Sequence, residues 1–128
     1  MSDDKFETLD QLEMGDKVRI HFPGDDPAEA GDATIDNPLE TTVEFISERE
    51  LDHKEHHDVD GIVNVKKIYI EVPDEDDVHD EYVIETRSPI VGDKTVRPIE
   101  TREYFEGRNG DGKYKVGALG FEDIEILD

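Results

Sequence analysis

The stretch that decides the fold is Ile68-Tyr69-Ile70-Glu71-Val72, in which apolar residues recur at every second position. Successive side chains of a β-strand point to opposite faces of a sheet, so this spacing predicts a strand with one buried face. The stretch Val18-Arg19-Ile20-His21-Phe22 has the same period. A disordered acidic chain has no reason to keep that period, and the two stretches therefore predict a folded β protein.

Outward from these two stretches, turn residues divide the chain into further short elements. A helical turn is expected over residues 3–14, where Phe6, Leu9 and Leu12 recur at every third position. Pairs such as Asp60-Gly61 are typical of turns and separate the strands. The expected strands cover residues 17–22, 41–49, 62–73, 81–87, 94–105, 113–116 and 124–127.

The longest expected strand changes phase in its middle. Val63 and Val65 lie on one face of a regular strand, whereas Ile68 and the apolar residues after it lie on the other. We expect a β-bulge at Lys66-Lys67, because one extra residue produces such a slip. The alternating faces predict a core that contains Val18, Ile20, Phe22, Val43, Phe45, Ile68, Ile70, Val72, Val116, Ile124 and Ile126.

Two terminal segments resemble a known class of small β-barrel. The opening, Leu12-Glu13-Met14-Gly15-Asp16-Lys17-Val18-Arg19-Ile20, is similar to the first strand of the SH3-like barrels found in ribosomal and transcription-associated modules. The ending, Ala118-Leu119-Gly120-Phe121-Glu122-Asp123-Ile124-Glu125-Ile126-Leu127, is similar to their last turn and strand. The resemblance implies a fold rather than an activity. We expect one all-β domain over residues 1–128, a small SH3-like barrel or β-sandwich of six or seven short strands after one helical turn.

Charge is the most unusual property of the composition. The 128 residues include 36 Asp and Glu against 14 Lys and Arg, a formal net charge of −22. The acids are spread along the chain, with 19 in residues 1–64 and 17 in residues 65–128. In molar salt the Debye length falls to about 3 Å, so the repulsion among these charges is largely screened. The chain resembles acidic cytoplasmic proteins of salt-loving archaea, with inorganic cations expected at its surface; a nucleic-acid mimic and an ordinary acidic protein are the alternatives.

Several classes of protein are disfavoured by what the sequence lacks. It contains no cysteine, which excludes disulfides, thiolate metal sites and cysteine nucleophiles. No apolar run approaches the roughly 20 residues of a membrane-spanning helix, and the N-terminal residues do not resemble a signal peptide. We therefore expect a cytoplasmic protein with no membrane partner.

A histidine cluster is the one candidate for metal chemistry. His53, His56 and His57 have spacings of three and four, which on a helix would place their rings on one side. Imidazole and carboxylate ligands suit Zn²⁺ or Ni²⁺. The alternative is a solvated loop in which the histidines are adjacent by chance. Because the three serines stand in no nucleophile motif and no phosphate-binding loop is present, we expect neither an enzyme nor a cofactor.

The segment 87–115 differs from the rest of the chain in its local charge. It contains seven bases and five acids, a net charge of +2, with aromatic residues interleaved. Basic and aromatic side chains together favour contact with a nucleic-acid backbone and its bases. The alternative is a set of cross-strand ion pairs with the aromatics in the core. The candidate residues for nucleic-acid or anion binding are Arg97, Arg102, Tyr104, Arg108, Lys113, Tyr114 and Lys115, with Lys66-Lys67 joining them if adjacent.

These patterns leave three hypotheses for the function. The first is a non-enzymatic binding module of a high-salt cytoplasm that contacts RNA, DNA or a nucleoprotein through residues 87–115. The second is a protein–protein adaptor or assembly subunit that uses exposed strand edges. The third is a small metal-dependent enzyme that uses the histidine cluster of residues 53–57.

Overall fold

A computed structural model describes residues 4–30, 33–51, 63–89, 94–107 and 110–127 of the chain. Within these residues the protein has one short helix and ten strands. The helix is α1 (Asp4–Gln11), and the strands are β1 (Lys17–His21), β2 (Ala28–Ala30), β3 (Ala33–Ile35), β4 (Leu39–Leu51), β5 (Val63–Ile70), β6 (Glu81–Pro89), β7 (Thr95–Val96), β8 (Ile99–Gly107), β9 (Gly110–Leu119) and β10 (Asp123–Leu127). Nowhere in the described residues is there a helix long and apolar enough to cross a membrane.

The main sheet is antiparallel and follows the order β10-β1-β4-β5-β6-β8-β9. It curls into a half-barrel of seven strands. The short strand β7 pairs with β6 beside β8, and β2 and β3 form a separate hairpin. The all-β, barrel-like fold predicted from the sequence is therefore confirmed.

The core lies inside the curl of the sheet, where α1 packs over it. The helix supplies Phe6 and Leu9, and Leu12 follows directly after it; all three are buried as their spacing predicts. Seven of the predicted strand residues are also buried, and Val72 is partly buried against them. The side chain of Val116 lies outside the described residues. The seven buried members of the predicted core are Val18, Ile20, Phe22, Val43, Ile68, Ile70 and Ile124.

Two predicted core residues are exposed, and each has a structural reason. Ile126 is 37% exposed because β10 is an edge strand, which pairs with β1 alone in the described part of the chain. Phe45 is 53% exposed because the pairing of β4 with β5 shifts between Val43 and Phe45. This irregularity leaves Val43 inside and turns Phe45 to the other face of the sheet. Burial of Ile126 and of Phe45 was therefore wrongly predicted.

The predicted bulge at Lys66-Lys67 is also wrong. Each residue of β5 has a single partner on β6, and from Tyr69 back to Val63 also on β4, so the ladder is regular there. Lys66 points to the same inner side of the sheet as Ile68 and Ile70, and it is only 6% exposed. Its Nζ donates hydrogen bonds to the carbonyl oxygens of Leu9 and Asp10 in the last turn of α1, at 3.0 and 3.1 Å. A cation at a helix C-terminus satisfies free carbonyls there, which explains a lysine on an inward position.

Candidate binding face

The side of the sheet that faces away from the core has a defined set of residues, because directly paired residues of antiparallel strands point to the same face. One row crosses five strands from β4 to β9. It consists of Phe45, Tyr69, Val83, Glu100 and Ala118, each paired with the next. We call this side, from β4 to β9, the outer face.

An aromatic pair stands at the β4 end of that row. The ring centroids of Phe45 and Tyr69 are 5.8 Å apart and the ring planes are inclined by 49°. Val83, the next residue of the row, is only 1% exposed although it lies on the outer face. Phe45 is therefore an exposed ring that packs on a half-buried tyrosine, and that tyrosine is paired in turn with a buried valine.

Basic residues occupy the rows next to the aromatic pair. In the adjacent row Lys67 pairs with Glu85, and the backbone N–H of Arg97 donates to the carbonyl of Glu85 at 3.0 Å. In the row beyond, Arg87 stands on β6, with Arg49 on the same face of β4. Arg102 pairs with Glu81 on the opposite side of the aromatic row. These described positions of the outer face have five bases and three glutamates, in a chain whose net charge is −22.

Each of the three glutamates is paired with an arginine of the same face, and Arg102 is shared by two of them. Nη1 of Arg102 lies 3.1 Å from Oε1 of Glu81, and its other nitrogens contact Glu100. Partial burial acts to lower the pKa of Arg102, but the hydrogen bonds and charges of Glu100 and Glu81 outweigh it and raise that pKa. Nε of Arg87 lies 2.7 Å from Oε2 of Glu85.

Lys67 and Arg97 differ from these arginines. Among the described residues, neither has a carboxylate within ion-pair distance. Arg97 borders a hollow of about 100 Å³ on the outer face. The hollow is lined by Val83, Glu85, Arg97, Pro98, Glu100, Arg102 and Ala118. Within the described part of the chain, the outer face thus presents two cations that no carboxylate engages.

The candidate residues from the sequence are only partly accounted for by this arrangement. Arg97 and Arg102 lie together on the outer face. Lys115 is the cross-strand partner of Arg102, and Lys113 is that of Tyr104. Arg108 lies outside the described residues, as do the side chains of Tyr104, Lys113, Tyr114 and Lys115.

Sequence reasoning missed the aromatic residues of the described face. The alternating pattern predicts that Phe45 lies in the core, and it gives Tyr69 no role beyond its place in a strand. The available signal was that Tyr69 stands between two inward residues of its strand, which places it outside. For Phe45 no local signal distinguishes the two faces, because the irregularity beside it depends on the pairing with β5.

The predicted metal cluster cannot be placed, because His53, His56 and His57 lie outside the described residues. Elsewhere, in the part of the chain that the structure describes, no three histidine or carboxylate side chains are grouped so as to hold a metal ion. A fourth histidine, His79, is buried and belongs to a different arrangement.

That arrangement joins the loop after β5 to strand β6. Oδ1 of Asp76 accepts hydrogen bonds from the backbone N–H groups of Val78 and His79, each at 3.0 Å. Oδ2 is 2.8 Å from Nδ1 of His79 and accepts a hydrogen bond from the hydroxyl of Tyr82. Burial acts to raise the pKa of Asp76, but these hydrogen bonds outweigh it and lower that pKa; burial and the Asp76 charge raise the pKa of Tyr82 well above its usual range. Because the side chains of Asp76, His79 and Tyr82 are all buried, this hydrogen-bond network holds the loop after β5 in place against β6.

A second, larger cleft of about 500 Å³ lies beside strand β4. Five carboxylates and one lysine border it, so its field favours hydrated cations. The charged lining residues are Lys17, Asp36, Glu40, Glu71, Asp74 and Glu75.

No protein-family model matches this chain, and no curated protein or solved structure shows significant similarity to it.

Proposed function

We propose that this protein is a non-enzymatic binding module of a high-salt cytoplasm that contacts nucleic acid through its outer face. The observation on which the proposal rests is the exposed ring of Phe45, packed on Tyr69, next to the row that contains Lys67 and Arg97. The proposal extends the predicted segment 87–115 to the neighbouring strands β4 and β5. We also keep the SH3-like resemblance of the two terminal segments as a hypothesis about the fold family.

The chemistry of nucleic acid matches this combination of side chains. Phosphates attract cations, and the flat faces of bases stack on aromatic rings. In the rows named above, five bases outnumber three glutamates, which makes these rows less repulsive to a polyanion than the strongly acidic remainder of the chain. Stacking also depends less on salt than ion pairing does, which suits a protein whose acidity indicates molar salt.

A second candidate is the protein–protein adaptor, and one observation favours it. Strands β9 and β10 stand at the two ends of the main sheet, and each pairs with one strand in the described part of the chain. Unpaired strand edges can bind an extended segment of another chain. This candidate places the contact on the edges rather than on Phe45 and Lys67, so the two proposals differ in the residues that they require.

The test is a binding assay with matched charge changes. Fluorescence anisotropy of short labelled RNA and DNA would be measured at molar KCl with the wild type, Lys67→Glu and Lys17→Glu. Both lysines lie on strands, and both changes alter the net charge equally, but Lys17 stands on β1 beside the acidic cleft. We expect Lys67→Glu to weaken binding clearly and Lys17→Glu to change it little. Equal effects of the two variants, or no binding by the wild type, would contradict the proposal.

A further inference from the structure

The geometry points to single-stranded nucleic acid as the ligand, with one unstacked base on the ring of Phe45 and neighbouring phosphates on Lys67 and Arg97. We propose this as the mode of binding, and it rests on the proposed function. Three properties of the described part of the outer face support it: the exposure of one ring, the small number of available cations, and the position of the paired glutamates.

The ring of Phe45 suits a base that has left its stack. It is more than half exposed, and the contact with Tyr69 holds it in place on a paired strand. A side chain that is already ordered loses little conformational entropy when a ligand packs on it. In a duplex both faces of each base are covered by neighbouring bases, whereas a single strand can turn a base outward onto the ring.

Among the described residues, the charges of the face are too few for a duplex. Double-stranded DNA has one negative charge per about 1.7 Å of its axis, and its binding proteins usually neutralise many phosphates. Here Arg87 and Arg102 are engaged by glutamates of the same face. To recruit these arginines, a phosphate would have to displace a carboxylate and leave it unpaired beside the polyanion.

The same glutamates restrict the path that the phosphate backbone of a bound nucleic acid can take across the face. Glu85 lies between Lys67 and Arg97 in one row. Lys67 and Arg97 are therefore two strand spacings apart. With neighbouring strands about 4.8 Å apart, the backbones at Lys67 and Arg97 are separated by about 10 Å. A flexible single strand can place separate phosphates on the two cations and arch over the glutamate between them.

This mode predicts a shallow salt dependence. For single strands the logarithm of the binding constant falls with the logarithm of the salt concentration by about 0.7 per neutralised phosphate. Two phosphates give a slope of about −1.4, so a tenfold increase in KCl weakens binding by roughly 25-fold. A duplex held by six or more phosphates would lose more than 10⁵-fold over the same range.

The experiment compares oligo(dT) and oligo(U) with the duplex of oligo(dT) and oligo(dA), by fluorescence anisotropy over a KCl series. The variants are Phe45→Leu, which keeps apolar bulk but removes the flat ring, and Phe45→Tyr, which keeps the ring. Met14→Ala is the control, because Met14 is 63% exposed in the turn before β1. Circular dichroism at the same salt verifies that each variant is folded.

We expect single strands to bind with a slope near −1.4 and the duplex to bind far more weakly. Loss of base stacking in Phe45→Leu should weaken binding by roughly 5- to 150-fold, while Phe45→Tyr and Met14→Ala keep it. A duplex bound as tightly as oligo(dT), or full affinity in Phe45→Leu, would overturn this mode and leave nucleic-acid binding standing. If neither single strands nor the duplex bind at any salt concentration, the proposed function itself fails.

Discussion

Nζ of Lys66 lies 3.0 Å from the carbonyl oxygen of Leu9, which joins residues 57 positions apart in the sequence. The same amine also contacts the carbonyl of Asp10, so one buried lysine of β5 holds the end of α1 against the sheet. The next residue, Lys67, lies on the other face of the same strand. Two consecutive lysines therefore have different roles, one in the architecture and one on the proposed binding face.

Replacement of Lys66 by methionine should lower stability. Lys66→Met leaves the carbonyls of Leu9 and Asp10 without their donor, at a cost of about 1–3 kcal/mol. Lys67→Met is the matched control, since it removes the same charge from the outer face and should change stability by about 0.5 kcal/mol or less. Urea denaturation at molar KCl measures both. Equal effects of the two substitutions would show that the contact with α1 does not stabilise the fold.

Truncation of two isoleucines to alanine should lower the free energy of unfolding by clearly different amounts. Ile70 is fully enclosed on β5, so Ile70→Ala should lower the free energy of unfolding by about 2–5 kcal/mol. Ile126 lies on the edge strand β10 and is 37% exposed, so Ile126→Ala should cost clearly less. The comparison by denaturant titration checks the observed faces of the sheet. A larger loss for Ile126→Ala would mean that β10 packs differently.

The buried hydrogen-bond network of Asp76, His79 and Tyr82 should make the free energy of unfolding depend on pH in a defined direction. The folded state holds the pKa of Asp76 below its usual value of 3.8. The unfolded chain therefore binds the proton first, and the contribution of Asp76 is present above about pH 4 and lost as pH falls through the folded pKa. We expect Asp76→Asn to be less stable than wild type by about 1.5–3 kcal/mol near neutral pH. That difference should shrink in acid; a difference independent of pH down to pH 2 would contradict it.

Salt should stabilise the folded chain. With a net charge of −22, the carboxylates repel one another over about 30 Å at 0.01 M ionic strength, and this repulsion favours expanded states. We expect the melting temperature, followed by circular dichroism, to rise from low salt to multimolar KCl. The same melting temperature throughout the series would refute adaptation to high salt.

Regular alternation was sufficient to predict much of the fold. Val18, Ile20, Ile68 and Ile70 are buried as their spacing requires, because period two determines the face wherever a strand is regular. The sequence could not reveal the shift between Val43 and its neighbours on β4, since that irregularity depends on how β4 pairs with β5.

The candidate site was harder to predict for a related reason. The local excess of bases in residues 87–115 led to Arg97 and Arg102, which do lie on one face. Phe45 and Lys67 belong to strands far from that segment in sequence, and only the ladder from β4 to β7 makes them neighbours. A surface assembled across strands leaves no continuous pattern in the chain.

If the outer face is the binding surface, backbone amide chemical shifts will report contact there. Isotope-labelled protein would be titrated with oligo(U) at molar KCl. We expect the largest shifts at Phe45, Lys67, Tyr69 and Arg97, with β1 and β10 little affected. Shifts confined to the strand edges of β9 and β10, or no shifts at saturating oligo(U), would contradict it.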